Sequence, residues 1–224
     1  MPRPLIVTVL AVVLAATAVA VADARFLSGR RTAVAGNPAD SLAGQPIDRQ
    51  VYDSPRRCDA RPRPGTQRLV AWLKKYFRGT SYGVYRCDGG LHSDWRAIDW
   101  GLDARNAVQK REGTRLIRLL LAPDRRGTPR ALARRMGIQE LIWDCSYWST
   151  SSDRAGAEFR PYSVCGRGTD PTQAHIDHIH IGITIAGSRG LTSFWRARAD
   201  AIPVPRNAGT PPATTPPSGG TPAG

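Results

Sequence analysis

From His178 to Ile183 the chain alternates without interruption, with His178 and His180 on one side of an extended segment and Ile179, Ile181 and Ile183 on the other. Three isoleucines on one face require a core. Two imidazoles on the opposite face resist burial unless something satisfies their nitrogens. The segment therefore predicts a strand with one face in the core and the other in a polar site. Ala97 to Leu102 repeats the arrangement, with Ile98, Trp100 and Leu102 pointing one way and Ala97, Asp99 and Gly101 the other. If the two strands are neighbours, a carboxylate and two imidazoles converge, and a divalent cation relieves the cost of burying them together. The chain holds four histidines, and three of them, His175, His178 and His180, fall within six residues. The fourth, His92, precedes Asp99 by seven.

Two nitrogens and one carboxylate oxygen suit zinc and leave a fourth position for water. Zinc lowers the pKa of that water and polarises a carbonyl, the requirements of amide hydrolysis. A general base must then stand within hydrogen-bond reach.

The segment His92-Ser93-Asp94-Trp95-Arg96-Ala97-Ile98-Asp99 resembles the H-x-x-G-x-A-x-D motif of zinc D-Ala-D-Ala carboxypeptidases and dipeptidases, a group that includes murein endopeptidases and the hedgehog metal site. Asp177-His178-Ile179-His180 resembles the second motif of that group, an acidic residue three positions before the last ligand. The runs HSDWRAIDW, ARRMGIQELIWD and HIDHIHI are similar to secreted actinobacterial domains placed with the same peptidases. The resemblance covers about residues 66–200. It implies a zinc site of His92, Asp99 and His180, with Asp177 at the position of the catalytic glutamate and His178 supporting the bound water or the transition state. Trp95 stands where glycine is usual, Gly90 where serine is frequent, and Asp177 is one methylene shorter than glutamate. Regular alternation would put Asp177 on the face opposite His180, so it serves as base only from a turn before the strand. His175 is expected at the rim.

The remainder of the chain narrows the setting. Pro2-Arg3-Pro4 leads into an apolar run from Leu5 to Ala22, and Ala22-Asp23-Ala24 offers a small-x-small cleavage site. The run is also long enough to span a bilayer uncleaved, so cleaved signal peptide and membrane anchor are both open over residues 1–24. The net charge of +14 is carried mostly by arginine. It favours polyanions, and export makes an acidic cell-wall polymer, not nucleic acid, the expected partner. A GC-rich genome would produce the same arginine bias. Cys58, Cys87, Cys145 and Cys165 include no C-x-x-C pair, which disfavours a zinc knuckle, and in an oxidising compartment they predict two disulfides. Of three connectivities, Cys58–Cys87 with Cys145–Cys165 closes two local loops.

Residues 25–56 show no hydrophobic periodicity and read as a linker; residues 203–224, rich in Pro, Thr and Gly, read as a solvated tail. The folded unit is then 57–202, expected to be monomeric. Helices are predicted over 66–77, 113–122 and from Thr128 (N-cap) to Gly137, with strands over 81–87, 97–102, 140–145 and 178–184, and a closing helix over 194–201. Arg125, Arg126, Arg130, Arg134 and Arg135 read as a solvated helix face. Trp143, Tyr147 and Trp148 suit a cleft, the core or a cell-surface contact, and Trp143 is assigned to the core. The fold class that follows is α+β, an antiparallel sheet with flanking helices. Three functions are compatible with it: a zinc peptidase acting on peptidoglycan stems, a non-catalytic wall-binding domain that retains its metal, and, on charge alone and ranked last, an exported polyanion-binding protein.

Overall fold

The computed structural model describes residues 34–152 and 159–210, so the apolar run of residues 1–24 lies outside the described residues. The fold is α+β. Six strands form one sheet: β1 (Thr80–Gly83), β2 (Ala97–Gly101), β3 (Ile138–Trp143), β4 (Ser146–Ser149), β5 (Arg160–Pro161) and β6 (His178–Ile183). Their order is β1-β2-β6-β3-β4-β5, and every neighbouring pair is antiparallel. The last strand in sequence is thus inserted between β2 and β3, which puts His178 and His180 at the middle of the sheet.

The predicted alternation sorts the two faces. Ile98, Trp100, Leu141, Trp143, Ile179, Ile181 and Ile183 are buried in one core. Helices α1 (Pro64–Tyr76) and α2 (Ala107–Leu121) contribute to that core through Leu69, Trp72 and Leu73 and through Leu116, Ile117, Leu119 and Leu120. Pro64 opens α1, where a missing N–H costs nothing, and Lys74 and Lys75 close it at the negative end of the helix dipole. Helix α2 starts six residues before the predicted position because Asn106 caps it, accepting from the N–H groups of Val108 and Gln109. A short α3 (Ala131–Met136) follows, with the single turns α4 (Ile185–Ser188) and α5 (Ser193–Arg196) near the end.

The start of α3 departs from expectation. Thr128 is not its N-cap: the Thr128 N–H is taken by the Asp124 side chain in the preceding turn, and Arg130, with left-handed backbone, caps the helix. Gly137 ends it as predicted, with a φ of 79° that glycine adopts without steric cost.

The larger departure concerns the domain boundaries. Residues 34–56 do not behave as a linker over their described length: Ala39 and Leu42 enter the core. Arg135, expected on a solvated face, is 1% exposed and donates to the carbonyls of Leu42, Gln45 and Pro46 and to Ser193 Oγ. Arg134 reaches the Asp48 carbonyl, and Arg96, buried against Asp94, reaches those of Asp53 and Ser54. The segment lacks apolar periodicity because arginines hold it by its backbone carbonyls, a pattern that leaves no hydrophobic signature. At the other end Val204 and Ala208 are also buried, so the packed region continues past 202.

The disulfides are Cys58–Cys87 and Cys145–Cys165, with no free cysteine. They match a chain that matures in an oxidising, extracellular compartment. Among the described residues no helix is long and apolar enough to cross a membrane.

Candidate metal centre

Register brings the site together. Asp99 on β2 lies directly opposite His180 on β6, and Gly101 opposite His178. On the other side of β6, Ile142 faces His180 and Glu140 faces Gly182. A slip of one residue would turn every one of these groups into the core. Gly182 continues the polar face of β6, and a Cβ there would meet Leu91 Cδ1 at 2.7 Å and Glu140 Cβ at 2.8 Å, so its lack of a side chain makes room for both. His92 arrives from a single turn, Leu91–Asp94, just before β2. Trp95, which joins that turn to the strand, has a φ of 59° and a ψ of 33°. Glycine adopts this left-handed geometry freely, and here Trp95 adopts it while stacking on Tyr85 at 6.2 Å.

His92, Asp99 and His180 are all buried, and one ligand atom from each lies within 4.8 Å of the others. The hydrogen bonds on the far sides of the rings decide what faces the centre. His92 Nδ1 meets the Val84 carbonyl at 3.1 Å, His180 Nε2 meets Glu140 Oε1 at 3.2 Å, and His178 Nδ1 meets Asp177 Oδ1 at 2.7 Å. Carbonyl and carboxylate oxygens accept, so each of these outer nitrogens donates. The neutral form of each ring then turns a bare nitrogen inward. His92 Nε2 stands 3.2 Å, His180 Nδ1 3.1 Å and His178 Nε2 3.5 Å from the same atom, Asp99 Oδ1. Three lone pairs against one carboxylate oxygen are satisfied by added protons or by a cation, and the donor set is of the kind that holds zinc.

The electrostatics of the metal-free centre follow. Burial alone would raise the pKa of Asp99, but hydrogen bonds with His180 and His92 hold it far below the usual carboxylate range. Burial opposes the charged form of His180, yet the hydrogen bonds to Asp99 and Glu140 win and lift its pKa to about 9. His175 goes the other way: burial, then the neighbouring His180 and His178, push it down to about 3, so it stays neutral at ordinary pH. It lies 4.7 Å from the His178 ring and 5.7 Å from that of His180, half-buried at the edge of the cluster as expected.

Asp177 precedes β6 in a turn, the position that allows it to serve the site. It does not face the cluster directly. One oxygen holds His178 Nδ1 and the other accepts from Thr172 Oγ1 at 2.6 Å, so Asp177 sits behind His178.

Several contributors are invisible in the motifs. Glu140 is one, and its signal is the single carboxylate of strand Ile138–Trp143, on the face opposite the core residues Leu141 and Trp143. Tyr147 Oη donates to Glu140 Oε2 at 3.3 Å, and Tyr52, from the 34–56 segment, also hydrogen-bonds Glu140; burial and then the Glu140 charge push the Tyr52 pKa up to about 12. Arg86 is another, paired through Nη1 with Asp99 Oδ2 and through Nε with Asp88 at 2.7 Å while half of its side chain stays exposed. Trp143 and Trp148 are core residues, and of the three aromatic candidates Tyr147 alone borders the site.

Among known families, the one described as VldE, C-terminal domain, matches residues 58–176, more than half of the chain. The chain belongs to the VldE C-terminal domain family. The VldE-type region takes in His92, Asp99, Glu140 and both disulfides, and ends one residue before Asp177. No curated protein and no solved structure matches the chain.

Proposed function

We propose that this protein is an exported, zinc-dependent hydrolase acting on the peptide stems of peptidoglycan, with the metal held by His92, Asp99 and His180. One observation carries the reading: the outer nitrogens of His92, His178 and His180 are all committed to oxygen acceptors, so their inner nitrogens converge on Asp99 Oδ1. Bound there, zinc would supply Lewis-acid polarisation of the scissile carbonyl and a water of lowered pKa. His178 is the proton acceptor in this reading, because its Nε2 faces the cluster, 3.5 Å from Asp99 Oδ1, and is not needed to complete the three-ligand set. Asp177 orients the ring and stabilises the imidazolium that forms, the division of labour seen wherever a carboxylate backs a catalytic histidine. The Arg86 guanidinium, half exposed beside Asp99, is suited to a carboxylate or a developing negative charge on the substrate. The two disulfides support action outside the cell, and the resemblance of the two histidine motifs to zinc D-Ala-D-Ala peptidases supports the substrate class.

The alternative, a metal-containing wall-binding domain without catalysis, draws on the position of Asp177, which meets the cluster through His178 and not by itself. Incubating the purified protein with peptidoglycan, with and without a chelator, and weighing the released fragments separates the two. Chelator-sensitive release lost in His178→Ala and in His180→Ala is the expected result. Stoichiometric zinc with no fragments would leave the binding domain, and a protein that takes up no zinc at all would end both readings.

A further inference from the structure

On the helical side of the sheet, away from the face that bears Asp99, a cleft of about 950 Å³ opens between the end of α1, the first half of α2 and residues 204–210. Its walls carry Lys75 and Arg78 from one segment, Lys110 and Arg111 from a second and Arg206 from a third. A run of cations on one helix face is ordinarily just solvated, but these come from separate stretches of chain and converge on a concavity, where like charges repel and the field is focused.

The acidic groups nearby are already committed. Glu112 takes both Nε and Nη2 of the buried Arg115 at 3.0 Å and also accepts from the Arg78 backbone N–H, while Asp144 pairs with Lys110 at 2.9 Å. Among the described residues Lys75, Arg78, Arg111 and Arg206 enter no close ion pair; the Arg78 charge is felt by Glu112 only at longer range, behind that of Arg115, and Lys75 lies 5.0 Å over the Tyr76 ring. Two further features separate the cleft from plain surface: Val108 on its wall is 48% exposed, and the hydroxyl of Tyr76, which also lines it, is buried without a hydrogen-bond partner.

We infer that this cleft is a second ligand site that takes a phosphodiester-linked polyanion, held by Lys75, Arg78, Arg111 and Arg206. Three of the four cations are arginines, whose planar forks bind phosphate oxygens in pairs. A chain of repeating charges suits cations contributed by three segments along one cleft better than a single small anion does. The assignment is independent of the metal centre, since the cleft shares no residue with it.

The test is titration of the full-length protein with poly(glycerol phosphate), followed calorimetrically at several salt concentrations. Saturable binding is expected, weakened about tenfold when R78A, R111A and R206A are combined, and falling as salt rises. A control combining R125A, R167A and R196A removes the same charge from exposed positions outside the cleft and is expected to change binding by less than about twofold. A chelator should leave binding unchanged, which separates this site from the metal centre. Equal losses in the two variants would reduce the effect to net charge and overturn the assignment, as would the absence of saturable binding. Association with phosphatidylglycerol vesicles but not with the soluble polymer would overturn it in favour of a membrane surface.

Discussion

Glu140 Oε1 holds Nε2 of His180 at 3.2 Å, on the side of the ring away from Asp99. The contact fixes which nitrogen of His180 faces the centre, and it comes from a strand that carries none of the three ligands. A carboxylate behind a ligating histidine typically contributes 10- to 100-fold in metal affinity. Glu140→Leu should therefore weaken zinc binding by about 10- to 100-fold, and Glu140→Gln, whose amide oxygen still accepts, by less. Competition against a chromophoric chelator measures both. Unchanged affinity in Glu140→Leu would remove Glu140 from the site.

His180 also sets the pH response. In the metal-free protein its pKa is raised from 6.5 to about 9, so the charged ring contributes stability that is fully present below pH 6.5 and is lost as pH rises through about 9. Denaturant midpoints of the metal-free protein should fall across that window, and His180→Gln should flatten the fall. Zinc must displace the proton that His180 carries, so its apparent affinity should rise about tenfold per pH unit up to about pH 9. A pH-independent affinity would mean that His180 is not a ligand.

Asp177→Asn leaves the three ligands untouched and removes the charge behind His178. If His178 takes the proton, peptide release should drop about 10²- to 10⁴-fold while zinc content stays at the wild-type level. His178→Ala should produce a loss of the same order, and the double variant little more, because the pair acts as a unit. Additive losses would separate the two roles.

Arg135 ties residues 42–46 to the domain through three backbone carbonyls. Arg135→Leu keeps the apolar stem but strands those acceptors, and should cost about 2–4 kcal/mol in equilibrium unfolding. Limited proteolysis should then cut first within 34–56. Because Tyr52 in that segment reaches Glu140, zinc affinity is expected to fall as well.

Much of this centre was legible from local pattern. Alternation in 97–102 and 178–183 assigned Asp99, His178 and His180 to the faces opposite the core, because a strand repeats every two residues whatever packs against it. The paired motifs supplied His92. Pattern could also place Asp177 ahead of the strand, but not behind His178, since that depends on the turn from 171 to 177 and on Thr172. The linker reading of 25–56 failed over 34–56 for a related reason: that segment is held by Arg96, Arg134 and Arg135, and side-chain bonds to carbonyls leave no hydrophobic period to detect.

The sequence by itself therefore determined the two strands that carry Asp99, His178 and His180 and the buried and polar faces of each, which follow from a period of two within a few residues, but not β4 or β5, and it placed β1 over 81–87 where the strand is Thr80–Gly83. Tertiary structure decided the partners. Inserting β6 between β2 and β3 set Glu140 behind His180, the loop before His92 brought the Val84 carbonyl to its ring, and Arg86 reached Asp99. A face is a local property of the backbone, whereas the atom on the far side of a ring depends on strand order and register, which no single segment encodes.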